Sequence, residues 1–162
     1  MTAEEYRRAA DSRIEDATAL MERGRSALAH YAAGVAVECM MYAYLCRRGL
    51  PIEKHHDLLR NALRAEFFDS LPEDAPTSTG VRAALSEVRL RWLNNHRYRS
   101  DDDLLRWLSK EAKLDSGVGQ RKKLRYSTSR IIEAALEVVT AGRLAWQRQP
   151  HPSRPANSDK SS

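Results

Sequence analysis

The sequence predicts an all-α fold, an antiparallel up-down bundle of about five to six helices. Three observations carry this expectation. Apolar residues recur every three or four positions in successive stretches, no stretch alternates strictly with β-branched residues, and no internal repeat of fixed period is present. One domain is expected over residues 1–148, followed by a polar tail, 149–162, that is expected to be disordered from Pro150 onward.

Helix one opens with Thr2 and Glu5, the spacing in which two side chains cap free amides reciprocally, and stops at Gly24. Tyr6, Ala10, Ile14, Ala17 and Met21 form its apolar stripe. Helix two is predicted from Ser26 to Arg48, ended by Gly49 and Pro51, with Leu28, Tyr31, Val35, Cys39, Tyr42 and Cys46 on its inner face. Ala32, Ala33, Gly34 and Ala36 lack bulk, so another helix is expected to come close there. A short third helix begins around His55 to Asp57 and carries Leu58, Leu59 and Leu63, after which Asp69 to Gly80 reads as a Pro/Ser/Thr-rich loop. The fourth helix shows Val81, Ala84, Leu85, Val88 and Trp92 at helical spacing and is expected to end near Asn94 and Asn95. Ser100 caps a fifth helix that starts with Asp101, Asp102 and Asp103 and is anchored by Leu104, Leu105 and Leu108. A loop with Gly117 and Gly119 leads to the last long helix, Lys122 to Gln147, with Ile131, Ala134, Ala135, Val138, Leu144 and Ala145 facing inward.

Composition narrows the function classes. The apolar region Ala27 to Cys46 is interrupted by His30, Gly34 and Glu38, which suits a core helix and not a bilayer span, and the amino terminus lacks the features of a secretory signal. A cytoplasmic protein without membrane association is therefore expected. Cys39 and Cys46, seven positions apart on one helix, would stand roughly 10 Å apart along its axis, too far for a disulfide. His55 and His56 are neighbours that point different ways on a helix, which argues for capping or packing and against shared metal ligation. No metal and no cofactor is expected. Between Val81 and Arg130, 13 Lys and Arg face 6 Asp and Glu, so the net charge of +5 is concentrated there.

Three blocks in order carry a resemblance: HYAAGVAVECMMYAYLCRRG on the second helix, KHHDLL at the third, and RWLNNHRYRS after the fourth. They resemble a HEPN domain, the first through its small residues and internal Glu38, the second through His56, Asp57 and Leu58. The third matches the family's functional signature, an Arg separated by four to six residues from a His, as Arg91 and His96, with Arg89 and His96 as a longer match, and Tyr98 extends it. The resemblance implies a metal-independent endoribonuclease of the toxin or antiviral-defence type, with a site shared across a homodimer. It also implies that a nucleotidyltransferase antitoxin could modify Tyr98 and switch the site off. The residue after the Arg is commonly polar in active members and is Trp92 here; a divergent class without a working site carries a Trp and an Arg-Tyr pair, which Trp92, Arg97 and Tyr98 fit. A non-catalytic HEPN module that binds a nucleotidyltransferase or another partner, and a purely structural bundle, therefore stand beside the ribonuclease.

The chemistry fits the residue types. Cutting RNA without a metal needs a base for the 2′-hydroxyl, charge on the transition state, and an acid for the departing 5′-oxygen. His96, with a reference pKa of about 6.5, and Arg91, always charged, supply such groups, and two protomers would divide the base and acid roles. Arg89, Arg97, Arg99, Arg121, Lys122, Lys123 and Arg125 are the candidates to hold RNA, with Tyr98 or Trp92 stacking on a base. Glu38 and Asn95 are supporting candidates. A carboxylate on an apolar helix is rarely buried without a partner, so Glu38 is expected to bond an Arg of the motif region.

Overall fold

A computed structural model describes residues 1–53, 56–71, 78–110 and 119–148, the side chains of Gln120 and Arg121 excepted. The described residues form six helices, α1 Ala3–Glu22, α2 Ser26–Arg47, α3 Leu58–Arg64, α4 Ser78–Arg91, α5 Asp101–Lys110 and α6 Gln120–Arg148, with single 3₁₀ turns at Phe68–Ser70 and Asn94–Tyr98. No strand occurs among the described residues, and no helix among them is long and apolar enough to cross a membrane. His55, Gly117 and the tail 149–162 lie outside the described residues.

Local chemistry sets the ends. Thr2 Oγ1 accepts from the Glu5 amide at 3.2 Å while the Thr2 amide donates to Glu5 Oε2 at 2.6 Å, the reciprocal cap that the spacing predicts. Gly24 and Gly49 hold φ of +71° and +70°, the left-handed conformation in which a residue without Cβ ends a helix most easily. Ser100 Oγ accepts from the Asp103 amide at 3.2 Å, capping α5. The N-terminus of α2 has no side-chain cap of its own, and Asp101 reaches across from α5 to accept from the Ala27 amide at 2.6 Å. That carboxylate thereby fastens the start of one helix to the start of another.

The short turn at Arg23–Arg25 folds α2 back along α1, and α2, α4 and α6 close the bundle around a core that includes Ala33, Val37, Met40, Met41, Leu85, Val88, Ile131 and Val138. α2 lies at its centre. A second small cluster, Ala27, Leu104, Leu105, Leu108 and Leu124, binds α5 to the starts of α2 and α6.

Three sequence expectations need correction. The stripe Leu28, Tyr31, Val35, Cys39, Tyr42 and Cys46 is the flank of α2, with Leu28 38% exposed and the others half-buried, and the deepest face is Ala29, His30, Ala33, Ala36, Val37, Met40 and Tyr44. A helix apolar nearly all round gives periodicity no face to choose, and backbone proximity selects the small residues. Leu144 is 39% exposed and not inward. α4 begins at Ser78, inside the stretch read as loop, because its first turn is polar and carries no apolar signal.

Gly34 shows why small residues sit on α2. The Trp92 indole lies against it so closely that a Cβ at this position would overlap the ring, and Trp92 is 3% exposed with its Nε1 donating to the Tyr31 carbonyl at 3.2 Å. Gly34→Ala is expected to lower stability by about 1–3 kcal/mol, the usual cost of overpacking a core. Urea unfolding of the two proteins, with Trp fluorescence as probe, checks this; an unchanged midpoint would mean that the indole has room to move.

His30 is fully enclosed on α2, and its Nε2 donates to the Arg91 carbonyl at 2.8 Å. Burial pushes its imidazole down to about 4, against the pull of that hydrogen bond, and the Arg91 charge adds to the fall. An unfolded chain takes up this proton near the reference value of 6.5 and the folded chain only near 4, so between those values the unfolded state binds more protons. The stability held by neutral His30 is complete above about pH 6.5 and is lost as pH falls toward 4, by up to about 3 kcal/mol. His30→Gln keeps an N–H for the carbonyl and does not titrate, so its urea midpoint is expected to fall less steeply over this range.

Candidate functional site

The signature residues meet where α4 ends. Arg91 is the last residue of α4, and its side chain is 11% exposed. Its Nε donates to Glu87 Oε1 at 2.7 Å and its Nη1 to Ser127 Oγ on α6 at 3.0 Å. Glu87 also faces Arg130 at 3.2 Å, so one carboxylate serves two guanidinium groups. The Arg91 carbonyl is free of the helical ladder at this end and is taken by His30.

After Trp92 the chain extends at Leu93 and then tightens into the 3₁₀ turn Asn94–Tyr98. The turn points its residues in opposite directions. His96 goes inward, 1% exposed, with its ring 4.5 Å from Trp107 of α5 and 5.4 Å from His30. Its Nδ1 accepts from the Leu93 amide at 3.3 Å, and a ring nitrogen used as acceptor carries no proton. Arg97 and Tyr98 go outward: Tyr98 is 77% exposed, and the Arg97 guanidinium lies 4.7 Å above its ring. The signature thus contributes an enclosed imidazole and a solvent-facing cation-aromatic pair from neighbouring residues.

The remaining candidates divide in the same manner. Arg89, Lys122 and Arg125 are exposed, Arg99 and Lys123 are half-buried, and Arg121 lies in the first turn of α6 with its side chain outside the described residues. Asn95 is exposed, whereas its neighbour Asn94 donates to His56 Nε2 at 2.9 Å. Glu38 is buried as expected, but its partner is His56 Nδ1 at 2.5 Å and not an Arg of the signature. Arg91 is committed to Glu87 and Ser127 and Arg89 and Arg97 face outward, while His56, just before the Asp57 cap of α3, lies edge-on to Trp92. Tyr42, raised first by burial and then by the Glu38 charge, keeps its hydroxyl proton and shares it with that carboxylate.

Sequence reasoning missed four residues that build this region: Glu87, Ser127, His30 and Trp107. His30 carried a signal, since an imidazole inside an apolar helix needs a hydrogen-bond partner as much as Glu38 does. Trp107 carried one too, as an aromatic set between Arg99, Arg106 and Lys110. Glu87 and Ser127 had none, because their role follows from the crossing of α4 and α6.

Comparison with curated proteins and with solved structures gives no match to either. The family model described as the HEPN domain matches residues 3–140, which takes in the central helix with Glu38, the His56-Asp57-Leu58 turn and the whole of the Arg91–Tyr98 signature. With a match over most of its length, the chain belongs to the HEPN domain family.

Proposed function

We propose that this chain is a non-catalytic HEPN module that binds single-stranded RNA, with Arg91 and His96 shaping the binding surface instead of cutting the strand. The observation that carries the reading is the 1% exposure of His96, whose Nδ1 is occupied by the Leu93 amide and whose ring is packed by Trp107 and His30. A general base or acid must come within hydrogen-bond reach of the proton it moves, and no 2′-hydroxyl reaches an imidazole so enclosed. Arg91 is held by Glu87 and Ser127, so its fork is already spent.

What faces solvent suits binding. Arg97 and Tyr98 project from the turn, and the exposed Arg125 and Tyr126 directly precede the Ser127 that meets Arg91. Cations interleaved with open aromatic rings fit an unpaired strand, which offers phosphates and unstacked bases together. The ribonuclease reading, with a site shared by two protomers, requires the 94–98 turn to move before His96 can act. The 77% exposure of Tyr98 favours one second reading, in which a nucleotidyltransferase partner docks here and modifies its hydroxyl.

Fluorescence anisotropy with a labelled oligoadenylate tests the proposal. Binding is expected, weakening with salt by a log-log slope of about −0.7 per phosphate contacted, and Arg97→Ala is expected to weaken it and reduce the slope by about that amount. Incubation with RNA in EDTA is expected to leave the strand intact. Fragments ending in 2′,3′-cyclic phosphate, lost in a folded His96→Ala protein, would overturn the non-catalytic reading, and absence of binding at low salt would overturn the RNA reading.

A further inference from the structure

Between α1 and α2, near the turn that joins them, lies a slot of about 420 Å³ whose walls include Leu20, Leu28, Tyr31, Ala32 and Val35. A helix hairpin ordinarily closes such a space by fitting the side chains of one helix between those of the other. Here Ala19 on α1 and Ala32 on α2 give the slot only a methyl each, so the larger residues around them stay apart. Leu28 is 38% exposed as a result, and Leu20, Tyr31 and Val35 are half-buried. The volume is that of a small ligand pocket, room for a base with its sugar.

Tyr31 ties the slot to the signature turn. Its ring is stacked on Trp92, centroids 6.3 Å apart at 25°, and Trp92 is itself seated at Gly34, so the Tyr31 wall is fixed from behind. The Arg97 guanidinium, 4.7 Å above the Tyr98 ring, also neighbours Tyr31, and the Tyr98 hydroxyl most and the Tyr31 hydroxyl less help to hold it charged.

Charge at the edge favours an anionic occupant. Arg13 Nη1 donates to Asp16 Oδ2 at 2.5 Å, so the one carboxylate that lines the slot is matched by a cation. Arg23 lines the slot as well, is exposed, and pairs with no carboxylate among the described residues. With Arg97 beside Tyr31, the slot is apolar inside and cationic at its edge, the order in which a nucleotide presents base and phosphate. A leucine or aromatic side chain of a partner protein would fill the same walls and leave the two cations unused.

We infer that the slot between α1 and α2 takes one unpaired base of a bound RNA strand, with the base against Leu20, Leu28, Tyr31 and Val35 and the adjoining phosphates on Arg23 and Arg97. The inference deepens the RNA-binding reading and rests on it. It gives the strand a path from Tyr98 over Arg97 to the corner between the first two helices.

Methyl-labelled protein makes the test direct. Oligoadenylate added to the full chain is expected to shift the methyl resonances of Leu20, Leu28 and Val35 through the ring current of the base, while those of Leu136 and Leu144, exposed on α6, stay in place. AMP is expected to move them only at much higher concentration. By anisotropy, Ala19→Leu, which fills the slot from an exposed position, is expected to weaken oligoadenylate about five- to tenfold. Arg23→Gln is expected to weaken it and to lower the log-log salt slope by about 0.7. Arg143→Gln, at an exposed arginine of α6 outside the slot, is expected to bind as the parent does. Circular dichroism melting shows whether each variant is folded, and should one melt early the methyl shifts of the parent decide alone. If oligoadenylate binds but the slot methyls do not move, or both slot variants bind it as the parent does, the slot is refuted and the RNA-binding module stands. If Arg143→Gln weakens binding as much as Arg23→Gln, the contribution of Arg23 is general charge and its phosphate contact is refuted. If AMP moves the slot methyls at the same concentration as the oligomer, the slot takes a free nucleotide and the strand subsite is refuted. If nothing binds, the module reading fails and the slot with it.

Discussion

The hydrogen bond from His30 Nε2 to the carbonyl of Arg91, 2.8 Å long, fixes where α4 stops and where the chain turns next. A helix leaves its last carbonyls without partners, and at this end one of them is satisfied from the middle of α2. The tie comes from a fully buried residue, so the end of α4 is drawn onto the central helix and Trp92 falls into the notch at Gly34. From there the chain has little choice. Leu93 extends, its amide is taken by His96 Nδ1, and the tight turn of residues 94–98 follows. Two imidazoles thus perform backbone work at a helix end, where water would otherwise be needed.

This arrangement separates the charges of the signature region. Arg91 shares Glu87 with Arg130, so one carboxylate faces two guanidinium groups in a half-buried contact between α4 and α6. Arg89, Arg97 and Arg125 are exposed, and the Arg99 guanidinium lies over the Trp107 ring, 5.7 Å from its centre. The interior therefore receives the neutral ring and the paired guanidinium, while the surface receives the remaining cations and Tyr98. A 3₁₀ turn makes that separation possible in a short span, because three residues per turn set neighbouring side chains on different sides.

Much of the fold was legible because local chemistry decides it. The Thr2-Glu5 cap, the Ser100 cap, Gly24, Gly49 and the apolar stripe of α4 all form as their spacing predicts. The inner face of α2 was not legible, since a helix rich in Ala, Val and Met looks alike from every side until its neighbours are placed. At the site, sequence supplied the residues that meet at the end of α4 but not their accessibility. Whether His96 faces in or out depends on the phase of a five-residue turn, which no periodicity reports. The partner of Glu38 escaped for a related reason. His56 precedes α3 in sequence and reaches the α2 carboxylate only once that helix has packed.

Burial of His96 also constrains how this chain could ever act on RNA. Association with a second copy removes surface from water and cannot by itself expose a group that is 1% accessible in one protomer. To bring the imidazole to a strand, the turn must release the Leu93 amide, part the ring from Trp107 and leave His30 beside an emptied space. Each step costs free energy, of the order of 1–3 kcal/mol for a buried polar group left unsatisfied, with a cavity penalty added. Binding energy from RNA or a partner would have to be larger for the opened turn than for the closed one, since a ligand shifts an equilibrium only by its difference in affinity for the two states. The surface in place without such a movement, cations around Tyr98, asks for no equivalent expense, and that asymmetry is the physical ground for reading the closed turn as the working form.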